Sequence, residues 1–490
     1  MPFLTKRLSY LFTATKGLVL VAIALVALTT VLMGTLSGPM REWGITEVVI
    51  DTFGLRMVEA EREGRIVLLY HAIAVAVVAI ETYLITGTLP MKPEERVRIN
   101  GTITVGYLLT LFFGLIFGYF GHNWIAHGLF IAGLTLAFFA GSQLAVALWP
   151  WRKADRVKGA EYARWGRIDL ERAAFFVMTM STLVSASLGA VTGAFYGNGQ
   201  ETFLAENIVR NPFKTPLELA IIGHLHIMLT LIAIALALLV GRWLDFKGLW
   251  HKLAMPLFIV GTLVTAVGAW SVVVTPQAHA IIYVGSTIVL LGALFLVIFG
   301  FDKLIRDRLT SQGITKATLG QKLGALLHDP LKFGALWQMV FMNFVVSFPG
   351  IFMAAKLEET FRVWPLRQER LILTGHWHVL SGLVATILLL LYADLAGLKG
   401  RTRQVFGWVI IGASDLAFAA TTAYTSRRLF VTAYGEGPLV ATLTLLMDAG
   451  LGLILMALGA LMGWRLIDLF KNRGRWHEEA GAAQAQEAVL

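Results

Sequence analysis

Twelve apolar runs, each close to the length that crosses a bilayer, constrain this chain more than any motif in it. They lie at about 17–38, 65–88, 103–120, 127–149, 172–196, 217–241, 252–274, 278–300, 333–356, 370–394, 404–424 and 437–463. A hydrocarbon core about 30 Å thick takes roughly 20 residues of helix to cross. No water is present there to satisfy an open backbone, so each run must be an α-helix. The 490 residues are 57% apolar and only 15% charged, which leaves no polar stretch large enough for a second domain. The expected architecture is an all-α polytopic membrane protein. Residues 1–465 form a single twelve-helix domain, and 466–490, ending in an Ala-, Glu- and Gln-rich stretch, form a solvated cytoplasmic tail. The first run is too long for a signal peptide and lacks a small-residue cleavage site, so it reads as a span.

The basic residues give the orientation. Lys6, Arg7 and Lys16 precede the first helix; Arg96 and Arg98 follow the second; Arg152, Lys153, Arg156 and Lys158 follow the fourth. Arg242 and Lys247, then Lys303, Arg306 and Arg308, then Lys399, Arg401 and Arg403, and finally Arg465, Lys471 and Arg473 continue the series. With twelve crossings all of them share one side, and the positive-inside rule makes both termini cytoplasmic in a cell inner membrane. The net charge of +10 is mostly this bias, and no polar domain exists to carry nucleic-acid binding. The opposite loops are mixed or acidic; Glu59, Glu61 and Glu63 offer a docking surface to a basic partner. The chain has no cysteine, which excludes disulfides, thiolate metal sites and covalently attached c-type haem.

A repeat of about 150 residues, four helices per unit, runs through the domain at approximately 17–149, 172–300 and 333–463. His71 and His224 are 153 residues apart, and His224 and His376 are 152 apart. His127, His279 and Gly437 hold matching places at the starts of helices 4, 8 and 12. The three units are expected to close into one bundle with quasi-threefold symmetry. Helices 2, 6 and 10 enter from the outer side, and His71, His224, His226, His376 and His378 lie within their first turns. With a helical rise of about 1.5 Å per residue, all five sit at a similar level in the outer half of the membrane. Histidine inside hydrocarbon is costly and by default functional, most often as a metal ligand or in a proton path.

Each His-x-His pair, His224/His226 and His376/His378, sets its two rings about 200° apart around the helix, since each residue turns by about 100°. The two imidazoles therefore serve different sites. One helix carrying His376 and His378 can hold two haems, one on each face, and His71 can complete the ligation of one of them.

This pattern resembles the catalytic subunit of the haem-copper oxidoreductases. It has one histidine on helix 2, one or more on helix 6 and His-x-His on helix 10 of a twelve-helix bundle. The segment Thr374-Gly375-His376-Trp377-His378-Val379-Leu380-Ser381-Gly382 is most similar to the helix-10 motif of the nitric oxide reductase branch. Ser426-Arg427-Arg428-Leu429 falls where that superfamily places an Arg-Arg pair against haem propionates. The resemblance implies two b-type haems: a low-spin haem held by His71 and His378, and a high-spin haem on His376. His224 matches the first histidine of the non-haem iron or copper site. The paired histidines between helices 7 and 8 fall at Ala278-His279, so one is missing, and His226 is the candidate replacement. The residue four past His224 is Met228, neither the tyrosine of oxygen reductases nor the glutamate of nitric oxide reductases. The absent tyrosine favours nitric oxide over oxygen as substrate. Electrons would come from an outer c-type cytochrome subunit or a quinol, within a hetero-oligomeric complex. The eroded metal site favours an alternative, a non-catalytic dihaem subunit passing electrons between quinol and a cytochrome partner. A haem-free transporter is disfavoured, because transporter repeats break their helices at the binding site.

The remaining histidines carry blander expectations. His122 and His127 belong to a short outer loop and the helix beside it, and His251, His328 and His477 are expected to be solvated on the cytoplasmic side. Intramembrane acids suggest proton movement; the candidates are Glu81, Glu218, Asp415 and Asp448, with Tyr283, Ser286 and Thr287 as a polar path on helix 8.

Overall fold

A computed structural model describes residues 9–36, 39–58, 62–121, 123–152, 159–196, 216–356, 359, 366–429, 431 and 436–471. Among these residues it contains twelve helices long and apolar enough to cross a membrane. They are α1 (Thr15–Gly34), α2 (Arg62–Thr88), α3 (Pro93–Phe120), α4 (Trp124–Ala147), α5 (Leu170–Tyr196) and α6 (Pro216–Trp243). The second half comprises α7 (Leu249–Ser271), α8 (His279–Ser311), α9, α10 (Leu366–Leu395), α11 (Gly400–Ser426) and α12 (Gly437–Lys471). The helix α9 runs as Pro330–Val340, a π-helical stretch Phe341–Ser347, and Phe348–Ala355. The protein is an all-α, multi-pass membrane protein.

Several helices outrun their apolar runs. α3 begins at Pro93 rather than 103, because Glu95 accepts from the Lys92 backbone N–H at 3.3 Å and charged residues continue the helix beyond the hydrocarbon. α8 extends to Ser311 and α12 to Lys471, so the expected tail from 466 is helical at least as far as Lys471. Residues 472–490, and with them His477, lie outside the described residues. The π-helical stretch has a local cause. Pro349 lacks the N–H that an α-helical ladder needs at that turn, and just before it Ser347 Oγ donates to the Met342 carbonyl five residues back, at 2.6 Å.

Helices pair through a joint that occurs three times among the described residues. Between α3 and α4, a Cβ at Gly133 would stand 2.5 Å from the Thr110 nitrogen; between α7 and α8, one at Gly285 would stand 2.5 Å from the Thr265 nitrogen. Between α11 and α12, one at Gly450 would lie 2.6 Å from the Ala413 carbonyl oxygen. Thr110 and Thr265 each turn the hydroxyl back onto their own helix, donating to Gly106 O at 2.9 Å and Gly261 O at 2.7 Å. Small residues allow backbones to approach this closely, the usual basis of helix association in lipid. Gly133→Ala and Gly285→Ala should therefore each cost about 1–3 kcal/mol by overpacking. Gly412→Ala, with nothing within 4 Å of its would-be Cβ, is the neutral control. Thermal unfolding of the three variants in detergent checks this.

The most enclosed spans are α6 and α10, with 61% and 67% of their most apolar windows buried, whereas α12 has 17%. The two histidine-rich helices are thus interior, and α12 faces outward. A buried polar chain ties α9, α10 and α11. Thr386 Oγ1 donates to Gln338 Oε1 at 2.6 Å, and Gln338 Nε2 donates to Ser414 Oγ at 2.7 Å.

The end opposite the histidines is clamped by arginines. Arg403 at the start of α11 holds Asp329 before α9 at 2.8 Å and also reaches Asp394 at the end of α10. Trp243 at the end of α6 donates Nε1 to the same Asp394 at 2.5 Å. Arg242 bridges Glu171 of α5 at 3.0 Å and donates to the Thr88 carbonyl at the end of α2 at 2.8 Å. His251, expected to be solvated, is fully buried here. A short ribbon, β1 (Arg164–Trp165) with β2 (Ile168–Asp169), folds over the start of α7. The preceding Ala163 donates its N–H to His251 Nδ1 at 2.9 Å. His328 is half-buried against the Ala325 carbonyl.

Candidate functional site

Helix α6 packs against both α2 and α10, so it presents one face to each. The glycines of the two Gly-His strings explain how these helices sit close to their other neighbours. A Cβ at Gly223 would meet the Ala269 carbonyl oxygen of α7 at 2.7 Å, and one at Gly375 would overlap Thr425 of α11. The histidine that follows each glycine lies about 100° further around the helix.

On the α2 side, His71 and His224 face one another, their ring centres 6.1 Å apart and their planes within 12° of parallel. His71 Nδ1 lies 2.8 Å from the Val67 carbonyl oxygen, one turn back. His224 Nδ1 lies 2.9 Å from the Ser185 carbonyl oxygen of α5. A carbonyl only accepts, so each Nδ1 carries the proton and each Nε2 is left with its lone pair. Metal-ligating histidines are held in this way by their second nitrogen.

On the α10 side, His226 meets Trp377, the residue next to His376, edge to face at 6.3 Å. The pair on α6 therefore serves two junctions, as the wide angle between its two positions predicts. Glycines on the preceding helices seat two of the rings. A Cβ at Gly189 of α5 would lie 2.6–2.9 Å from ring atoms of His224, and one at Gly350 of α9 would lie 2.6 Å from His376 Nε2. Neither seat nor either carbonyl anchor is legible from sequence, since glycine is common in membrane helices for packing alone.

His378 is exposed on α10, and His279 is half-buried at the start of α8. Ala278 beside it is buried in a small apolar cluster with Leu219 and Val272. Among the described residues no three His, Cys, Asp or Glu side chains gather in a metal-binding cluster. Arg427 is buried; its Nε donates to Glu436 at 3.0 Å, its Nη1 donates to Tyr424 O, and its guanidinium covers the Tyr424 ring. The side chains of Arg428 and Glu218, and the whole of His122, lie outside the described residues. His127 stacks on Phe117, ring centres 5.0 Å apart. Glu81 is buried in α2, with Oε1 meeting no hydrogen-bond partner among the described residues. Asp415 accepts from Trp337 Nε1 at 3.0 Å, and Thr287 turns its hydroxyl back to the Tyr283 carbonyl.

The His71–His224 junction suits a transition metal. Two imidazoles that ligate one ion from opposite sides through nitrogens at about 2 Å put their ring centres about 6 Å apart; His71 and His224 have that separation with their rings stacked. Two neutral imidazoles fill two coordination positions, and a planar four-nitrogen ligand such as haem would supply the rest. The chain matches no known protein family, and no curated protein is detectably similar to it.

Proposed function

We propose that this protein is a haem-bearing membrane oxidoreductase of the nitric oxide reductase type within the haem-copper superfamily. The observation that carries the reading is the His71–His224 pair, with both Nδ1 atoms anchored and both Nε2 atoms left for a metal, together with His376 at the neighbouring junction. Haem bound at these residues supplies a reversible one-electron carrier and an iron that takes a small gas. The protein's own part is to fix ring orientation through Val67, Ser185, Gly189 and Gly350 and to keep the site among apolar helices. Nitric oxide is favoured over oxygen because Met228 stands where oxygen chemistry needs a tyrosine. Electrons enter from an outer c-type cytochrome or a quinol, in an inner-membrane complex with both termini of this chain cytoplasmic. The thrice-repeated glycine joint supports three homologous four-helix units. A non-haem iron or copper has less to hold it, since His224 and His226 leave opposite faces of α6.

A second reading, a dihaem electron conduit between quinol and a cytochrome, is favoured by one observation. His226 stands on the α10 face of α6, its ring edge to face with Trp377, the residue next to His376, so a second imidazole lies near that histidine. Pyridine haemochrome analysis of protein purified from haem-replete cells, followed by nitric oxide uptake at an electrode, tests the proposal. Two b-type haems per chain with reductant-dependent uptake are expected. Protein without haem would refute both readings, and haem without uptake would leave the conduit.

A further inference from the structure

The carboxylate of Asp448 stands where hydrocarbon is expected. It lies near the middle of the apolar run 437–463 on α12, the least enclosed of the described spans. Its side chain is only partly covered, and among the described residues no hydrogen bond or ion pair engages it. By contrast Glu81 is buried within the bundle, and Asp415 is bonded to Trp337.

The glycine joint fixes which way Asp448 points. It precedes Gly450, the residue pressed against α11, by two places, which is about 200° around the helix. The same place at the other two joints holds Ile131, exposed, and Tyr283, half-buried. Within about 60° of Asp448 the helix also carries Gly452, Gly459 and Gly463. A Cβ at any of these three would meet nothing within 4 Å. In α8 the corresponding places are filled by Thr287, Leu294 and Ile298. We propose that this arc of α12 seats a transmembrane helix of a different subunit, one that brings a basic side chain to the level of Asp448.

Charge complementarity selects that occupant. An acid inside the bilayer is costly and is kept where a partner in the membrane offsets its charge. Small residues along one arc let a second backbone come close enough for such a contact. A second copy of this chain fits poorly, since a symmetric contact through α12 would set one Asp448 against another with no cation between them. The basic residues of α12, Arg465 and Lys471, lie at its cytoplasmic end.

The chain has no cysteine, so introduced cysteines report proximity cleanly. The test reconstitutes the full-length Met456→Cys variant, altered at an exposed position beside the arc, in phosphatidylcholine vesicles. The probe is a synthetic single-span Leu/Ala peptide with a central arginine and a cysteine eight residues to either side, so either orientation can pair. A matched peptide has leucine in place of the arginine. Disulfide cross-linking is expected to favour the arginine peptide roughly tenfold, the usual size of a polar contact between membrane helices. Adding Asp448→Leu should remove that preference, and Gly459→Ile should block both peptides. Val146→Cys, exposed on α4, should capture neither. Cross-linking that is absent with both peptides, equal with both, or undiminished by Asp448→Leu overturns the proposal. Disulfide-linked dimers of the Met456→Cys chain alone would place a second copy on this face and overturn it as well.

Discussion

Replacing His376 with alanine is expected to abolish gas reduction and to remove the carbon-monoxide-binding haem, with the other haem's spectrum unchanged. The separation follows from geometry. His376 of α10 is seated against Gly350 of α9, whereas His71 and His224 are held by anchors on α2 and α5 that make no use of α10. Alanine supplies no ligand atom, so the loss of turnover should be complete to background. A graded variant sharpens the point. Gly350→Ala keeps His376 but drives a methyl group into its ring, and misplacing a ligand's support typically costs about 10–100-fold in metal affinity or activity. Nitric oxide uptake and haem content, measured together on both variants, decide the matter. Turnover retained in the alanine variant at position 376 would refute the role given to that histidine.

The largest effect on stability is expected at the other end of the bundle. Arg403 is 17% exposed and holds Asp329, 14% exposed, and Asp394, 28% exposed. Trp243 joins the group through Asp394, so this guanidinium links the ends of α6 and α10 to the starts of α9 and α11. Removing one partner of a buried pair costs about 3–5 kcal/mol, because the charge left behind has no compensation. Residual exposure trims this, and Arg403→Ala is expected to cost about 2–4 kcal/mol. Lys303→Ala breaks a bridge to Asp307, whose side chain is 60% exposed, and surface pairs contribute under about 1 kcal/mol. Thermal unfolding in detergent should therefore separate the two variants clearly. Equal shifts would mean that the Arg403 cluster contributes no more than a surface bridge.

The twelve spans were legible because apolar length is a one-dimensional property and lipid permits only helices. Helix ends were not, since charged turns such as Glu94 to Arg98 lie outside the hydrocarbon yet remain helical. The arginines read as orientation signals turn out also to be structural. Arg242 and Arg403 each bind a carboxylate on another segment, a pairing no local pattern discloses. His251 shows the same limit, since its burial depends on a ribbon that lies far upstream in the sequence, just after Ala163. Spacing along the chain disclosed that helices 2, 6 and 10 carry histidines in register. It could not disclose which ring meets which, because that depends on how far each helix is rotated. The split of His224 and His226 onto different faces was predictable from helix geometry alone, and the two rings do face different neighbours. The glycine seats at 189 and 350 had no visible signature, and the π-helical stretch before Pro349 had only the proline itself.

In the proposed oxidoreductase, one iron is capped by two histidines and a second, on His376, opens to gas. The carbon monoxide difference spectrum of the dithionite-reduced, purified protein tests it most directly, since carbon monoxide needs a vacant iron position. A shift in about half of the haem, lost in His376→Ala and retained in His378→Ala, is the predicted result. No shift, with two haems present per chain, would contradict the claim and identify the protein as an electron conduit.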